Sequence, residues 1–294
     1  MRRINLFKLR ASRKIMPWTP ANPDHAIDRA LIKFEFESLP TKALQRVTDI
    51  VQAASAASGF ADVVNIQTPN VQILAGPDGV PQVVQDLKPS TVKSFRNLAA
   101  DGDPIYLATC ANDNLAFDVR KYSSWNEIFP LIRSCFEEAI RHINDNVSSI
   151  ASVRFEYWDR FVRAEVDGDQ FVRRDTQLAP GIISQLAGSW HSHVGFFKFK
   201  DDKRILLNAN VDLMEAADVK NSNQPHLIPD GVNSLCRIHT SCVISPEGTA
   251  AFKDVNDCID SADLAHTELK AVLGNIINQQ LADQIKLAAK GFEL

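Results

Sequence analysis

Alternation of hydrophobic and polar residues is clearest in the stretch 153–161, Val-Arg-Phe-Glu-Tyr-Trp-Asp-Arg-Phe. Successive side chains of a β-strand point to opposite faces of a sheet, so the pattern predicts a strand, about 152–162, with one buried face. The opposite face carries Arg154, Glu156, Trp158 and Arg160. Asp159 breaks the alternation because it falls among the buried positions. It indicates that the strand ends, or leaves its cover, at this point.

A second stretch repeats the pattern near the beginning of the chain. Residues 32–36, Ile-Lys-Phe-Glu-Phe, have the same aliphatic, basic, phenylalanine, glutamate, aromatic order as residues 153–157. The two stretches are offset by 121 residues. The repeat predicts two similar halves, each of which opens with a strand of this kind.

The elements that follow each opening strand are also similar. Apolar residues at three-and-four spacing predict helices, and short β-branched runs between Gly, Pro and Asp predict strands. The first half is predicted to contain a strand 31–37, a helix 41–57, an antiparallel meander of short strands between 60 and 120, and a helix 125–143. The second half is predicted to continue with a short helix near 180–187, strands 190–199 and 204–214 joined by a hairpin turn, a strand 234–244 and a helix 261–287.

These elements predict an α+β fold with two similar halves, each an antiparallel sheet packed on a long C-terminal helix in the order strand, helix, strands, helix. Ser123 or Ser124 is expected to cap the helix 125–143, with Glu127 completing a capping box. We expect three segments: a disordered basic extension 1–15, a first half 16–150 and a second half 151–294.

The extension allows other interpretations. It contains six Lys and Arg and no acid, so it is also compatible with an amphipathic targeting helix or with a nucleic-acid-binding arm. A start of the protein at Met16 is a further alternative. The remainder of the chain is acidic, which argues against nucleic-acid binding by the folded body because phosphate contacts need clustered Lys and Arg.

Composition places the chain among ordinary globular proteins. It has 294 residues, of which 45% are hydrophobic and 23% charged. No apolar run has the length of a membrane helix, about 18–20 residues. Five cysteines form no Cys-x-x-Cys pair, which predicts a reducing, cytoplasmic location without disulfides or a zinc cluster.

Several motifs resemble a known protein family. They are Leu115-Ala-Phe-Asp118, Tyr122-Ser-Ser-Trp125, Phe155-Glu-Tyr-Trp-Asp-Arg-Phe161, Asp263-Leu-Ala-His266 at the start of the last helix, and the proline-rich lead from Met16-Pro17. Together they resemble a family of sporadically distributed bacterial proteins of unknown function and of about this length. The resemblance implies an α+β fold in a bacterial cytoplasm, and the sporadic distribution is typical of mobile or defence-related genes. Glu156 departs from the family, in which many members carry Arg.

His191-Ser-His193 is the sharpest chemical feature. On a strand, residues i and i+2 share a face, which places the two imidazoles about 7 Å apart. The pair could bind zinc or a similar metal if His239 or Asp212 supplied a third ligand. The alternative is a structural histidine pair in a sheet.

A second candidate is a ligand-binding or partner-binding surface. It would consist of Trp158, Asp159, Arg160, Arg154 and Trp125. Arginine can hold a carboxylate or phosphate, and tryptophan can stack on a ring. The alternatives are cross-strand ion pairs on a solvated sheet face and, for Trp125, packing in the core.

The missing motifs favour a role without catalysis. The chain has no glycine-rich phosphate loop, no Gly-x-Ser-x-Gly elbow and no zinc-protease motif, and its sequence indicates no cofactor. We therefore expect a non-enzymatic interaction or regulatory protein with a protein partner or self-association. Two alternatives stay open. One is a small-molecule-binding protein with a cavity between sheet and helix, and the other is a metal-dependent hydrolase that uses His191 and His193.

Overall fold

The structure is a computed structural model. The residues that it describes are 18–22, 25–75, 81–164, 171–173, 176, 178, 183, 188–215, 217–218, 231–248 and 251–287, with the backbone alone for 67–75 and 81–91. Two predicted segments lie outside these residues: the basic extension 1–15 and almost all of the short helix near 180–187.

Ten strands of the described residues form one antiparallel sheet. They are β1 (Thr19–Pro20), β2 (Ile27–Phe36), β3 (Asp62–Ala75), β4 (Pro81–Leu98), β5 (Pro104–Cys110), β6 (Asn114–Val119), β7 (Ile150–Arg163), β8 (Trp190–Lys200), β9 (Lys203–Glu215) and β10 (Ser234–Pro246). Their order across the sheet is β3-β4-β5-β6-β2-β7-β10-β9-β8, and β1 also pairs with β7. The predicted meander is confirmed, although the short runs expected between 60 and 98 merge into the long strands β3 and β4.

Strands β2 and β7 join the two halves of the chain. In their antiparallel ladder Lys33 lies opposite Arg154, Ile32 opposite Phe155 and Phe34 opposite Val153. The inward-facing residues of both halves belong to one buried core. The halves therefore contribute to one continuous sheet instead of forming a sheet each.

Helices pack on one face of this sheet, which confirms the α+β class. They are α1 (Thr41–Ala57), α2 (Trp125–Asn146), α3 (Val255–Ile276) and α4 (Gln279–Gln284). Helix α2 lies between α1 and α3. Under α2, the ring of Phe136 contacts those of Phe34 and Phe117, with 6.0 and 6.2 Å between ring centroids.

The first two helices follow the sequence closely. Helix α1 has the predicted bounds, because Val47 and Val51 give it a buried stripe and Gly59 adopts a φ of 86° just beyond its end. Helix α2 begins at the predicted residue, with Ser124 as its N-cap. The predicted N-cap position is correct, but the Ser124 side chain makes no capping hydrogen bond, so the predicted capping box does not form.

The last predicted helix is wrong at both ends. Helix α3 begins at Val255 after Asp254, whose side chain accepts a hydrogen bond from the Asp257 amide, so Asp263 lies inside the helix and not at its start. Helix α3 ends at Ile276, because Ile277 is extended and its backbone forms a bridge with Val172. The apolar spacing continues across this break, and it therefore predicted a single helix.

Candidate functional site

Strand β7 separates the predicted binding residues onto two faces of the sheet. Arg154, Trp158 and Arg160 lie on the face opposite the helices, which we call the open face, whereas Asp159 lies on the helix side and is 3% exposed. The prediction that the strand leaves its cover at Asp159 is wrong. Strand β7 continues to Arg163, and β1 pairs with it at Phe161, which is fully buried.

Asp159 lies in a buried polar cluster with His25, Tyr122, Tyr157 and His266. Its Oδ1 atom is buried, and no described group forms a hydrogen bond with it. Burial, together with the nearby charge of Asp28, raises the pKa of Asp159 to about 8. The carboxyl group of Asp159 is therefore largely protonated at neutral pH.

Residues 25–27 bring His25 close to Asp159. The backbone amide of Arg160 donates to the carbonyl of Ala26 (2.8 Å), and Ile27 lies opposite Asp159 in the ladder. Nε2 of His25 is 3.0 Å from the carbonyl oxygen of Tyr122, and the two rings contact each other edge to face. Nδ1 of His25 is buried and has no described partner. Two unpartnered polar atoms therefore lie beside the same tyrosine.

The two tyrosines connect Asp159 to helix α3. The hydroxyl groups of Tyr122 and Tyr157 are 3.5 Å apart, and that of Tyr157 is 2.7 Å from Nδ1 of His266. Burial raises the pKa of both tyrosines, and the charge of Asp159 adds to both shifts. Burial, with a contribution from Lys270, lowers the pKa of His266 to about 4. The imidazole of His266 is therefore neutral at pH 7.

Trp125 closes the cluster on its helix side. Its indole stacks on the ring of His266, with 4.5 Å between centroids and 14° between planes, and also on Phe155. Its Nε1 atom donates to Asp263 on α3 (2.6 Å). Of the predicted binding residues, the structure therefore brings Trp125 and Asp159 to one cluster and leaves the others on the open face.

Trp158 forms the centre of a row of stacked side chains on the open face. The guanidinium of Arg29 lies 4.9 Å from the centroid of one of its rings, and His239 stacks on Trp158 at 4.7 Å. Arg29 donates twice to Asp118, at 2.8 Å each, and Nε2 of His239 donates to Glu156 at 2.9 Å. The row crosses strands β6, β2, β7 and β10, and every polar member has a partner.

Glu156 is ionised in this row. Burial alone would raise its pKa, but the hydrogen bond and charge of His239, with Arg154 and Lys33, outweigh burial and lower it. Arg154 pairs with Glu35 on β2 (2.9 Å), and Arg160 pairs with Asp28 (2.9 Å). The charges of β7 thus form the cross-strand ion pairs that the sequence left as an alternative.

The structure separates the histidines predicted to hold a metal. His191 and His193 are exposed on β8, and Nδ1 of His191 donates to Asp212 at 2.6 Å. His239 lies two strands away, because Asn210 on β9 stands between it and His193. Across the described part of the chain, no group of three or more His, Cys, Asp or Glu residues could hold a metal ion.

The cysteines are buried and lack disulfide partners. Burial raises the pKa of each thiol, for Cys135 to about 11. A thiol with a raised pKa is a poor nucleophile at neutral pH. The five side chains therefore act as small hydrophobic residues of the core: Cys110, Cys135, Cys236, Cys242 and Cys258.

The exposure of two phenylalanines on β8 was not predicted from the sequence. Phe197 and Phe199 are 55% and 64% exposed on the open face. Strand β8 ends the sheet, and among the described strands only β9 pairs with it. The alternating run Val-Gly-Phe-Phe-Lys-Phe could have been recognised as an apolar edge only if the position of β8 in the sheet had been known.

Comparisons with known proteins do not identify the chain. No protein-family model matches it, and no curated protein sequence does. The family resemblance, which covers most of residues 16–287, and the bacterial origin that it implies therefore stay predictions. None of the described helices is long and apolar enough to cross a membrane.

Proposed function

We propose that this protein acts by association rather than catalysis, and that strand β8 pairs with the same strand of a second copy. The observation that carries the proposal is the exposure of Phe197 and Phe199 on a strand that ends the sheet. An end strand presents unpaired backbone N–H and C=O groups to another chain, and natural proteins usually protect such an edge with charge or cover. Two exposed aromatic rings on this edge favour an interface.

The register of the central strands supports a duplication of the two halves. Lys33 and Arg154 occupy equivalent positions of the repeated pattern and lie opposite each other, and the neighbouring pairs are symmetric about them. Outward from this pair, β6, β5 and β4 follow β2, and β10, β9 and β8 follow β7. In the first half β3 then covers the edge of β4, whereas no described strand covers β8. A strand from a second copy would occupy the equivalent position.

Charge excludes two registers for this pairing, and among those that remain we propose the one with its axis at Gly195. Like charges directly opposite each other destabilise an antiparallel pair, so a two-fold axis at Lys198 or Lys200 is unfavourable. An axis at Gly195 places Phe197 opposite His193 of the second copy and Phe199 opposite His191. Each copy would then contribute two aromatic pairs on the open face, where the stacked pair of Trp158 and His239 already lies.

Light scattering coupled to size-exclusion chromatography tests the proposal. We expect the full chain to be a dimer and the double variant Phe197→Asp, Phe199→Asp to dissociate, with a dissociation constant raised about 100-fold or more by the loss of two buried rings. Val63→Asp is the matched control, because Val63 is 44% exposed on β3 at the other end of the sheet. This control should remain a dimer.

Two results would overturn the proposal. One is a full chain that remains monomeric at protein concentrations up to about 100 μM. The other is a double variant that stays dimeric. Circular dichroism of the double variant must match that of the full chain, so that loss of the dimer is separated from loss of the fold.

A further inference from the structure

The buried polar cluster contains acceptors of hydrogen bonds without matching donors. Because Nε2 of His25 lies against a carbonyl oxygen, this nitrogen donates, and in the tautomer with its proton on Nε2 the Nδ1 atom is an acceptor. Oδ1 of Asp159 is a second acceptor in the ionised carboxylate. Among the described residues neither atom has a partner. An unsatisfied buried acceptor costs about 1–3 kcal/mol, so two of them in one cluster require an explanation.

The charges around these acceptors favour a cation. Asp28 lies close enough to affect the pKa of Asp159, and Arg160 neutralises Asp28 through an ion pair at 2.9 Å. At neutral pH Asp159 holds its proton, so a bound cation would take the place of this proton beside the carboxylate. Once Asp159 is ionised, Asp159, Asp28 and Arg160 together carry one net negative charge. The nearest rings are those of Tyr122 and Tyr157, whose faces attract cations.

We propose that the buried polar cluster is a binding site for a small protonated amine. The ammonium group donates to Oδ1 of Asp159 and to Nδ1 of His25 and lies against the rings of Tyr122 and Tyr157. An anion does not fit, because the unpartnered atoms are acceptors. A metal ion does not fit either, because no described set of three ligands surrounds the position.

The cluster extends from the core towards the protein surface. Asp159 lies at its buried end, whereas His25 and Tyr122 are only partly buried. Both partly buried residues lie in connections, His25 in the segment before β2 and Tyr122 between β6 and α2. The proposed ligand would enter on the side of these two partly buried residues.

Methylammonium chloride is the probe for this site. We expect a saturable rise in the melting temperature of the full chain, together with a binding isotherm in calorimetry. Potassium chloride at equal ionic strength should give neither, and tetramethylammonium, which has the charge but no N–H donor, should also fail. These two salts separate a specific ammonium site from general screening of charge.

Two variants locate the site. Asp159→Asn keeps the shape of the side chain but removes the charge and should abolish methylammonium binding. His25→Phe keeps a ring but removes one acceptor and should weaken binding about tenfold. If all three salts act alike, or if Asp159→Asn responds to methylammonium as the unaltered chain does, the proposal is overturned and the unpartnered atoms bind only water.

Discussion

At the residue scale, Asp159 is a buried carboxyl group whose Oδ1 atom has no described hydrogen-bond partner. Such a group loses its hydration, and the protein keeps the proton on it instead of the charge. Its neighbours on the same face of β7 are Tyr157 and Phe161, both buried. The strand thus carries a polar side chain into the core at a position that would suit an aliphatic residue.

The stability of the protein should therefore fall as the pH rises from about 6.5 to 8. The pKa of Asp159 is about 8 in the folded chain and close to 3.8 in the unfolded chain, so the folded chain holds more protons in this range. The expected slope averages about −1 kcal/mol of unfolding free energy per pH unit over this range, because one full proton corresponds to roughly 1.4 kcal/mol and Asp159 is half ionised at pH 8. His266 acts below this range, because its lowered pKa removes stability only as the pH falls below about 6.5. Urea unfolding at a series of pH values measures the slope.

Asp159→Asn provides the control for this dependence. It has no proton to release, so its stability should be nearly flat from pH 6.5 to 8 and should exceed that of the unaltered chain above pH 8. Equal slopes in the two proteins would show that another group carries the dependence.

The sequence predicted the outer residues of β7 better than the inner ones. Alternation places Arg154, Trp158 and Arg160 on one face, and the structure agrees. The residues that surround Asp159 could not be predicted. His25 and His266 lie more than 100 residues away in the sequence, and only the order of strands and helices in the fold places them in the same cluster. A local pattern also could not reveal that β1 extends the cover beyond Asp159.

At the element scale, the ends of the helices differ in how they are satisfied. The side chain of Asp254 accepts a hydrogen bond from Asp257 at the beginning of α3 (2.9 Å), whereas the Ser124 side chain makes none at the beginning of α2. Asp254 also places a negative charge at the positive end of the helix dipole. Two N-caps that are equally favourable in sequence thus have different bonding.

Asp254→Ala should destabilise the protein by about 1 kcal/mol, whereas Ser124→Ala should change its stability by a few tenths of a kcal/mol at most. The first variant loses a capping bond and the second has none to lose. Urea midpoints of the two variants, compared with that of the unaltered chain, measure the difference. A larger loss in Ser124→Ala than in Asp254→Ala would contradict the capping assignment.

Helix existence could be predicted from the sequence, and helix ends only where a local residue determines them. Gly59 ends α1 locally, and the bounds of α1 were correct. The end of α3 depends on a bridge between Ile277 and Val172, which lie 105 residues apart. Apolar spacing carries no information about such a contact.

At the scale of the whole molecule, the two halves share one sheet, which favours their unfolding as one unit. Strands β2 and β7 pair along most of their length, and the core beneath them is continuous. If the two halves separated between β2 and β7, each would lose the backbone hydrogen bonds that it makes to the other. The boundary predicted from the sequence, between residues 150 and 151, therefore falls inside β7, which is part of the shared sheet.

We expect a single unfolding transition for the full chain. Tryptophan fluorescence reports on both halves through Trp125 and Trp190, and far-ultraviolet circular dichroism reports on all elements. The urea midpoints of the two signals should coincide. Two separate midpoints would show that the halves unfold independently despite the common sheet.

The ladder between β2 and β7 also has a consequence during synthesis on the ribosome. Its first partners, Phe36 and Ile150, are separated by more than 100 residues, so β2 leaves the exit tunnel long before β7 is made. At roughly 5–20 residues per second, the nascent chain holds this edge open for on the order of 5–20 s. During that interval β6 can pair with one side of β2, but the other side is exposed to neighbouring nascent chains. The second edge of β2 is therefore the edge that stays without its partner strand for longest during synthesis of this ladder.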